Sequence, residues 1–215
     1  MSAGGCHQGT IEDAIDAISA GEVVAIPTDT VYGLAVSASD PLATGKLFAM
    51  KGRPPSLDLP VLVEDLGRAR NLGVFDALSL ALAERFWPGP LTLVVRRSNV
   101  SSSLHLGGDG TTIGLRAPAA AMVMELCERV GPLASTSANP HGSPPFTSAA
   151  QILKAARGGG LDGLSLVVDG GICNLAPSTV LDCTRRPVVC LREGAVRWRD
   201  VQEALQQAGR PSQPS

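Results

Sequence analysis

Val23-Val24-Ala25-Ile26, closed by Pro27, runs into the polar turn Thr28-Asp29-Thr30 and then into Val31-Tyr32-Gly33-Leu34. A short apolar, β-branched run ended by proline reads as a buried strand, and this one delivers threonine hydroxyls at its C-terminal end. After a helical stretch stands Lys51-Gly52-Arg53-Pro54. Two cations at i and i+2 on extended chain reach the same side, where they can meet the hydroxyls around one anionic ligand. On its own the stretch supports a phosphate or carboxylate site at the carboxyl end of a strand in an α/β protein.

The rest of the composition narrows the class. A chain of 215 residues can bury a sizeable core, and 44% hydrophobic with 18% charged residues is a globular composition. A formal net charge of -2 argues against a broad nucleic-acid surface. Cys6, Cys127, Cys173, Cys183 and Cys190 lack CxxC spacing. They read as reduced thiols, mostly core filler, and favour neither a zinc site nor a disulfide frame. No apolar run approaches the ~18 residues of a membrane span, and the N-terminus carries no signal pattern. A cytoplasmic protein without a membrane partner is the expectation.

Outward from the opening strand, Thr10 with Asp13 predicts a capped helix start, with Ile11, Ala14, Ile15 and Ile18 at helical spacing and Gly21 as the stop. Pro41 opens a second helix that ends near Lys51, and Pro54, Pro55 and Pro60 keep the following segment irregular. Further helices are expected at 65–71, 76–86, 119–130, 148–156 and 199–208. Strands are expected at 61–63, 91–95, 112–115, 133–137, 164–169, 179–182 and 188–191, with a polar loop over 98–110. The sequence shows no internal repeat. Strands and helices interleave irregularly, so the expected fold is a single α/β domain with a twisted mixed sheet, flanking helices and no strict βαβ repeat.

Familiar nucleotide signatures are missing. Gly45-Lys46 is followed by Leu47, which is no Walker loop, and no GxGxxG follows a strand. His7, His105 and His141 have no ligand spacing. A nucleotide would have to be held by dispersed groups, and these exist. Thr30, Ser135, Ser137 and Ser178 lie at or beside the ends of apolar strands, with Asn139 beyond, and Lys51, Arg53, Arg116 and Arg192 are the cations in comparable positions. Each charge-assisted hydrogen bond contributes ~1.5–3 kcal/mol, so two or three cations plus hydroxyls suffice for micromolar binding of a nucleoside triphosphate, with magnesium bridging its phosphates. Against this, a Ser or Thr at a strand end is more often a turn or cap residue, and a loop Lys or Arg is usually a solvated charge. Phe86-Trp87-Pro88-Gly89-Pro90 reads most simply as a helix stop with an aromatic anchor, and Asp29 as a turn cap. Spacing alone therefore supports an anion-binding α/β domain.

Taken together, Pro27–Leu34, Lys51–Pro54, Leu59-Pro60-Val61-Leu62-Val63 and Phe86–Thr92 resemble, in order, the YrdC-like family, the threonylcarbamoyl-AMP synthases. Thr112–Pro118, Ser135-Thr136-Ser137-Ala138-Asn139, Pro177–Asp182 and Leu191-Arg192-Glu193-Gly194 continue the match, which covers about Gly9 to Ala208. The resemblance implies one domain over 9–208 with flexible termini at 1–8 and 209–215, built without the extra C-terminal domain of longer members. It implies a concave, positively lined cavity and a nucleotidyltransferase reaction. L-threonine, bicarbonate and ATP give threonylcarbamoyl-adenylate and pyrophosphate, with Mg2+ accompanying ATP. The adenylate then serves threonylcarbamoyladenosine formation beside the tRNA anticodon, through separate downstream tRNA threonylcarbamoyl-transfer proteins, so tRNA binding here is weak or indirect. A non-catalytic RNA-binding module of the same fold and a carbamoyl-transfer relative are the alternatives.

By the family pattern, Thr30, Arg116 and Ser178 hold threonine, Arg116 pairing with its carboxylate. Lys51, Arg53, Thr112, Ser135, Ser137, Asn139 and Arg192 surround the nucleotide, and Lys51 and Arg53 are the catalytic cations. No conventional general base is implied. The chain departs from the pattern at Leu57-Asp58, where many members have Asn or Lys followed by Pro, at Leu62, which is His in some members, and at His141-Gly142 and Pro145.

Overall fold

The computed structural model describes residues 5–139 and 143–209. Eleven strands are joined in one sheet: β1 (His7–Gly9), β2 (Val23–Ile26), β3 (Gly33–Ser37), β4 (Val61–Leu62), β5 (Gly73–Val74), β6 (Leu91–Arg97), β7 (Thr112–Arg116), β8 (Leu133–Ser137), β9 (Leu164–Val168), β10 (Thr179–Asp182) and β11 (Val189–Arg192). Seven helices flank it: α1 (Ile11–Ser19), α2 (Pro41–Lys51), α3 (Leu66–Leu72), α4 (Ala77–Phe86), α5 (Ala121–Val130), α6 (Ala149–Arg157) and α7 (Trp198–Ala208). The strand order is β1-β9-β2-β3-β8-β4-β7-β6-β10-β11, with β5 on β6. Pairing is parallel in β1·β9, β9·β2, β4·β7 and β6·β10 and antiparallel elsewhere, so the sheet is mixed as expected.

Local chemistry sets the helix ends. The Thr10 hydroxyl accepts from the Asp13 amide at 3.2 Å while the Asp13 carboxylate accepts from the Thr10 amide at 2.8 Å, a reciprocal cap on α1. Pro41 occupies the first turn of α2, where its missing N–H costs nothing, and Asp40 caps the amides of Leu42 and Ala43. Gly52, at φ +52°, ends α2 in the left-handed region. That turn leaves Lys51 in the last helical turn and lets Arg53 continue on irregular chain.

Both faces of the sheet are covered along β2, whose four residues are all buried. Val24 and Ile26 pack with Ala14 and Ile18 of α1 and with Val123, Leu126 and Cys127 of α5. Val23 and Ala25 join the larger core with Ala43 and Leu47 of α2, Leu82 of α4, Ile152 of α6 and Val201 of α7. The alternation continues across the sheet and creates the site. On β8, Leu133 belongs to the α1/α5 core, and Ser135 and Ser137, at i+2 and i+4, carry that face into a cavity. On β6, Leu91, Leu93 and Val95 enter the larger core while Thr92 and Val94 face the cavity. On β7, Ile113 and Leu115 are core, and Gly114 and Arg116 face out.

Three elements differ from the sequence expectation. His7 and Gln8 pair with Leu166 and Val167, so the expected flexible N-terminal segment 1–8 overlaps a sheet strand. β3, read only as a continuation of the turn, is a five-residue strand between β2 and β8. The two-residue β5 appears only through its partner β6. Gly209 closes α7, and the expected tail over 210–215, like residues 1–4, lies outside the described residues.

Candidate functional site

The cavity has a volume of about 340 Å³ and opens on the face of the sheet that α1 and α5 leave uncovered. Seven of the ten residues expected at the site line it: Thr30, Arg53, Arg116, Ser135, Ser137, Ser178 and Arg192. Lys51, Thr112 and Asn139 stand behind its wall and reach it through hydrogen bonds. Thr92 and Gly114 also line it, and sequence reading passed over them. Thr92 was legible as the polar residue in the alternation Leu91-Thr92-Leu93, and Gly114 as a glycine inside a strand.

Arg116 is the most buried cation of the set, at 6% exposed. Its Nε donates to the Gly89 carbonyl at 3.1 Å, Nη2 donates to Asp29 Oδ1, and both Nη1 and Nη2 lie 3.3 Å from Thr30 Oγ1. Burial lowers its pKa, against the opposing pull of Asp29. The helix stop at Phe86–Pro90 thus does more than anchor an aromatic ring, because Gly89 aims the guanidinium. A Cβ at Gly89 would fall 2.3 Å from the Phe86 carbonyl, so only glycine permits this approach. The turn is held elsewhere by Trp87 Nε1, which donates to the Leu91 carbonyl at 2.6 Å.

Thr30 is set by its own turn. Thr28 Oγ1 donates to the Val31 carbonyl at 2.7 Å and accepts from the Thr30 amide at 3.1 Å, a local side-chain turn that points both threonines at the cavity. Tyr32, fully buried, braces it: its hydroxyl donates to the Gly171 carbonyl at 2.9 Å and accepts from the Gly170 amide at 3.1 Å.

Across the cavity, the Ser178 and Thr92 hydroxyls are 3.0 Å apart. Arg192 donates to the Ser178 carbonyl through Nη2 at 2.7 Å and Nε at 3.1 Å, and to the Ser178 hydroxyl at 3.1 Å. Gly194 makes this possible, since a Cβ there would sit 2.0 Å from the Pro177 carbonyl. Arg192 is therefore placed beside Ser178, the residue expected to hold threonine, in the cavity that Arg53 also lines.

At the other end, Lys51 Nζ donates to the carbonyl of Ser137 at 3.0 Å, to the carbonyl of Asn139, and to Asn139 Oδ1 at 2.9 Å. All three ammonium donors are used, and they clamp the end of β8. Asn139 Oδ1 also accepts from the Ser137 hydroxyl at 2.7 Å. Burial, assisted by repulsion from Arg53, lowers the Lys51 pKa to about 8. Arg53, whose pKa burial also lowers, donates to the Leu57 carbonyl at 3.2 Å and the Asp58 carbonyl at 2.6 Å. At the divergent Leu57-Asp58 pair, backbone oxygens thus fix this cation. Asp58 lines the cavity with its pKa raised by burial, and Thr112 Oγ1 approaches its Oδ2 at 3.4 Å. Leu62 and Pro145 contribute apolar lining, and His141 and Gly142 lie outside the described residues.

The arrangement gathers the cations Arg53, Arg116 and Arg192, the hydroxyls of Thr30, Ser135, Ser137 and Ser178 and the carboxylate of Asp58 on one cavity floor. Gly114 lies on that floor with no side chain. Among the described residues no three His, Cys, Asp or Glu side chains converge on a metal-binding point. The donor set suits an ion carried by a substrate's phosphates, with neutral serine hydroxyls beside it. Among the described residues no helix is long and apolar enough to cross a membrane.

A family model described as "Telomere recombination" (Sua5_yciO_yrdC) matches residues 16–194. A threonylcarbamoyl-AMP synthase of Pyrococcus abyssi is 36% identical over 87% of this chain and 55% of its own length. A putative threonylcarbamoyl-AMP synthase of Mycobacterium tuberculosis (strain CDC 1551 / Oshkosh) is 37% identical over 91% of this chain and 88% of its own. The crystal structure of P. abyssi Sua5 complexed with L-threonine superposes with a TM-score of 0.80 at 34% identity, over 90% of this chain and 56% of that one. The chain thus spans about half the length of the archaeal relative and most of the mycobacterial one.

Proposed function

Because the chain belongs to the Sua5/YciO/YrdC family, we propose that its cavity joins L-threonine, bicarbonate and ATP into threonylcarbamoyl-adenylate and pyrophosphate. The observation that carries this is that three guanidinium groups, of Arg53, Arg116 and Arg192, line one cavity with the hydroxyls of Thr30, Ser135, Ser137 and Ser178, a donor set suited to a carboxylate and phosphates together. The Sua5 relative solved with L-threonine supports the amino-acid assignment.

In this reading Arg116 and Thr30 hold the threonine carboxylate, and Ser178 with Thr92 meets the remaining polar groups of the amino acid. The threonine ammonium gives one proton to bicarbonate, which breaks down to carbon dioxide and water; the freed amine bonds to the carbon dioxide carbon and releases a second proton to solvent as the carbamate forms. A carbamate oxygen then attacks the α-phosphorus of ATP; that O–P bond forms as the bond to the bridging oxygen breaks, and pyrophosphate leaves. Arg53 stabilises charge on the phosphates, and Lys51 holds the Ser137–Asn139 segment that receives them. Such a reaction runs on positioning and on cations placed where charge develops. Magnesium, carried by the phosphates, would neutralise part of their charge, with Ser135 and Ser137 as neighbouring oxygen donors. The adenylate is then consumed by separate proteins that transfer the threonylcarbamoyl group to tRNA. A concave cavity of about 340 Å³ with a small-molecule donor set favours this catalytic reading over an RNA-binding module.

The test is pyrophosphate release from ATP with bicarbonate and magnesium, with L-threonine, L-serine or no amino acid. Release that requires threonine and prefers it over serine supports the assignment; threonine-independent release, or none, removes it.

A further inference from the structure

The carboxylate behind Arg116 has a role that the substrate-binding set leaves out. Asp29 is not part of the cavity lining, yet its side chain is only 8% exposed. One of its oxygens accepts from Arg116 Nη2, and the other is buried with no hydrogen-bond partner. A buried carboxylate is costly unless it is paired, so a half-satisfied one is kept for what it does to its neighbour. Here the neighbour is a guanidinium fixed at Nε by Gly89 and shared between Nη1 and Nη2 by Thr30. With Asp29 taking one Nη2 donor, the guanidinium plane is fixed and the donor capacity left over lies on Nη1.

Charge points the same way. Arg192 is near enough for its charge to act on Arg116. The three groups Asp29, Arg116 and Arg192 together leave one net positive charge, which a single carboxylate neutralises. Without Asp29 the site would hold an uncompensated buried cation, Arg116, beside the exposed Arg192, and attract any small anion. Cys173, whose thiol donates to the Thr28 carbonyl at 3.2 Å, packs on the other side of the turn and brings no counter-charge.

We propose that Asp29 is a positioning residue that aims Arg116 and cancels its charge, so that the site accepts one carboxylate in one orientation and rejects simple anions. The proposal rests on the threonine reading of this end of the cavity. It is read by calorimetric binding of L-threonine and by KM for threonine and ATP, each with added chloride, in the wild type, Asp29→Ala, Asp29→Asn, Arg116→Lys and the double variant Asp29→Ala/Arg116→Lys.

Asp29→Ala is expected to weaken threonine about ten- to a hundredfold, the effect of one charge-assisted partner, while KM for ATP stays within about threefold. Asp29→Asn keeps an acceptor for Nη2 and loses less threonine affinity, but gains inhibition by chloride competitive with threonine. In the Arg116→Lys background, Asp29→Ala adds less than about threefold, because its effect passes through the guanidinium. Unchanged threonine binding in Asp29→Ala, equal loss of threonine and ATP, or additive effects in the double variant would overturn the proposal. Should Asp29→Ala not fold, the isosteric Asp29→Asn decides: unchanged chloride inhibition overturns it. A wild-type protein that binds no threonine would instead overturn the reading of the cavity, and this inference with it.

Discussion

Replacing Lys51 by methionine separates the chemistry of the site from its packing. Methionine keeps most of the side-chain length, and Lys51 is only 7% exposed, so an apolar substitute stays in place. The substitution removes three donors from the Ser137 carbonyl, the Asn139 carbonyl and Asn139 Oδ1. A hydrogen bond to a charged group is worth about 1.5–3 kcal/mol, so loss of two of the three predicts a fall of at least a hundredfold in kcat/KM for ATP. Stability should change less, because removing a buried charge also removes its desolvation cost. The pH profile gives an independent reading. Burial lowers Lys51 to about 8, with Arg53 repelling it further, so the proton is lost as pH rises through about 8. A neutral amine has two donors for three acceptors, and the β8 end loosens. Wild-type kcat/KM for ATP, measured at saturating threonine, should therefore fall above about pH 8 by up to about tenfold per pH unit, and Lys51→Arg should lack this inflection. The linkage has the opposite sign for stability. Between about 8 and 10.5 only the unfolded chain holds this proton, so wild-type stability relative to Lys51→Met rises across that window. Wild-type turnover in Lys51→Met, or parallel pH profiles in wild type and Lys51→Arg, would refute the reasoning.

Gly114→Val should fold and fail to turn over. A Cβ there meets Thr92 Cγ2 at 3.5 Å and Pro60 Cβ at 3.6 Å, ordinary contacts, so thermal unfolding should show a change within about 1 kcal/mol. Its methyls fill the cavity floor, so pyrophosphate release should drop more than tenfold. Cys127 and Cys183, whose thiols burial pushes up to about 12, should resist labelling by a thiol reagent at pH 7.5 until the chain unfolds, whereas half-buried Cys190 labels in the native state.

Much of the fold was legible because its strands carry their own signal. Val23–Ile26 and Leu91–Val95 are β-branched or leucine-rich, and Thr10, Asp13 and Pro41 mark helix starts by chemistry that acts within a few residues. β1 was hidden because His7-Gln8-Gly9 is polar and becomes a strand only by pairing with β9, more than 150 residues away. β3 was obscured by Gly33 and Ala35, weak strand formers whose place depends on β2 and β8. At Gly33 the packing is tight: a Cβ would sit 3.0 Å from Ser135 Oγ.

The site divides along the same line. The hydroxyls and cations were visible as residue types at strand ends. Which of them face the cavity was not, because Lys51 and Asn139 bond to each other across 88 residues, and Arg116 is aimed by Gly89, 27 residues away. Asp29 read as a turn cap for want of any sequence signal that its partner would be Arg116. Arg192 was grouped with the cations around the nucleotide, and its bonds to Ser178 arise from the β10·β11 pairing and the close approach at Gly194.

The most direct test of the account is to identify the product. The protein is incubated with ATP, magnesium, L-threonine and 13C-bicarbonate, quenched rapidly, and the adenylates are analysed by mass spectrometry. The account predicts an AMP conjugate that contains threonine and one labelled carbon, formed in step with pyrophosphate. Pyrophosphate release with no such conjugate, or an adenylate lacking the labelled carbon, would contradict it.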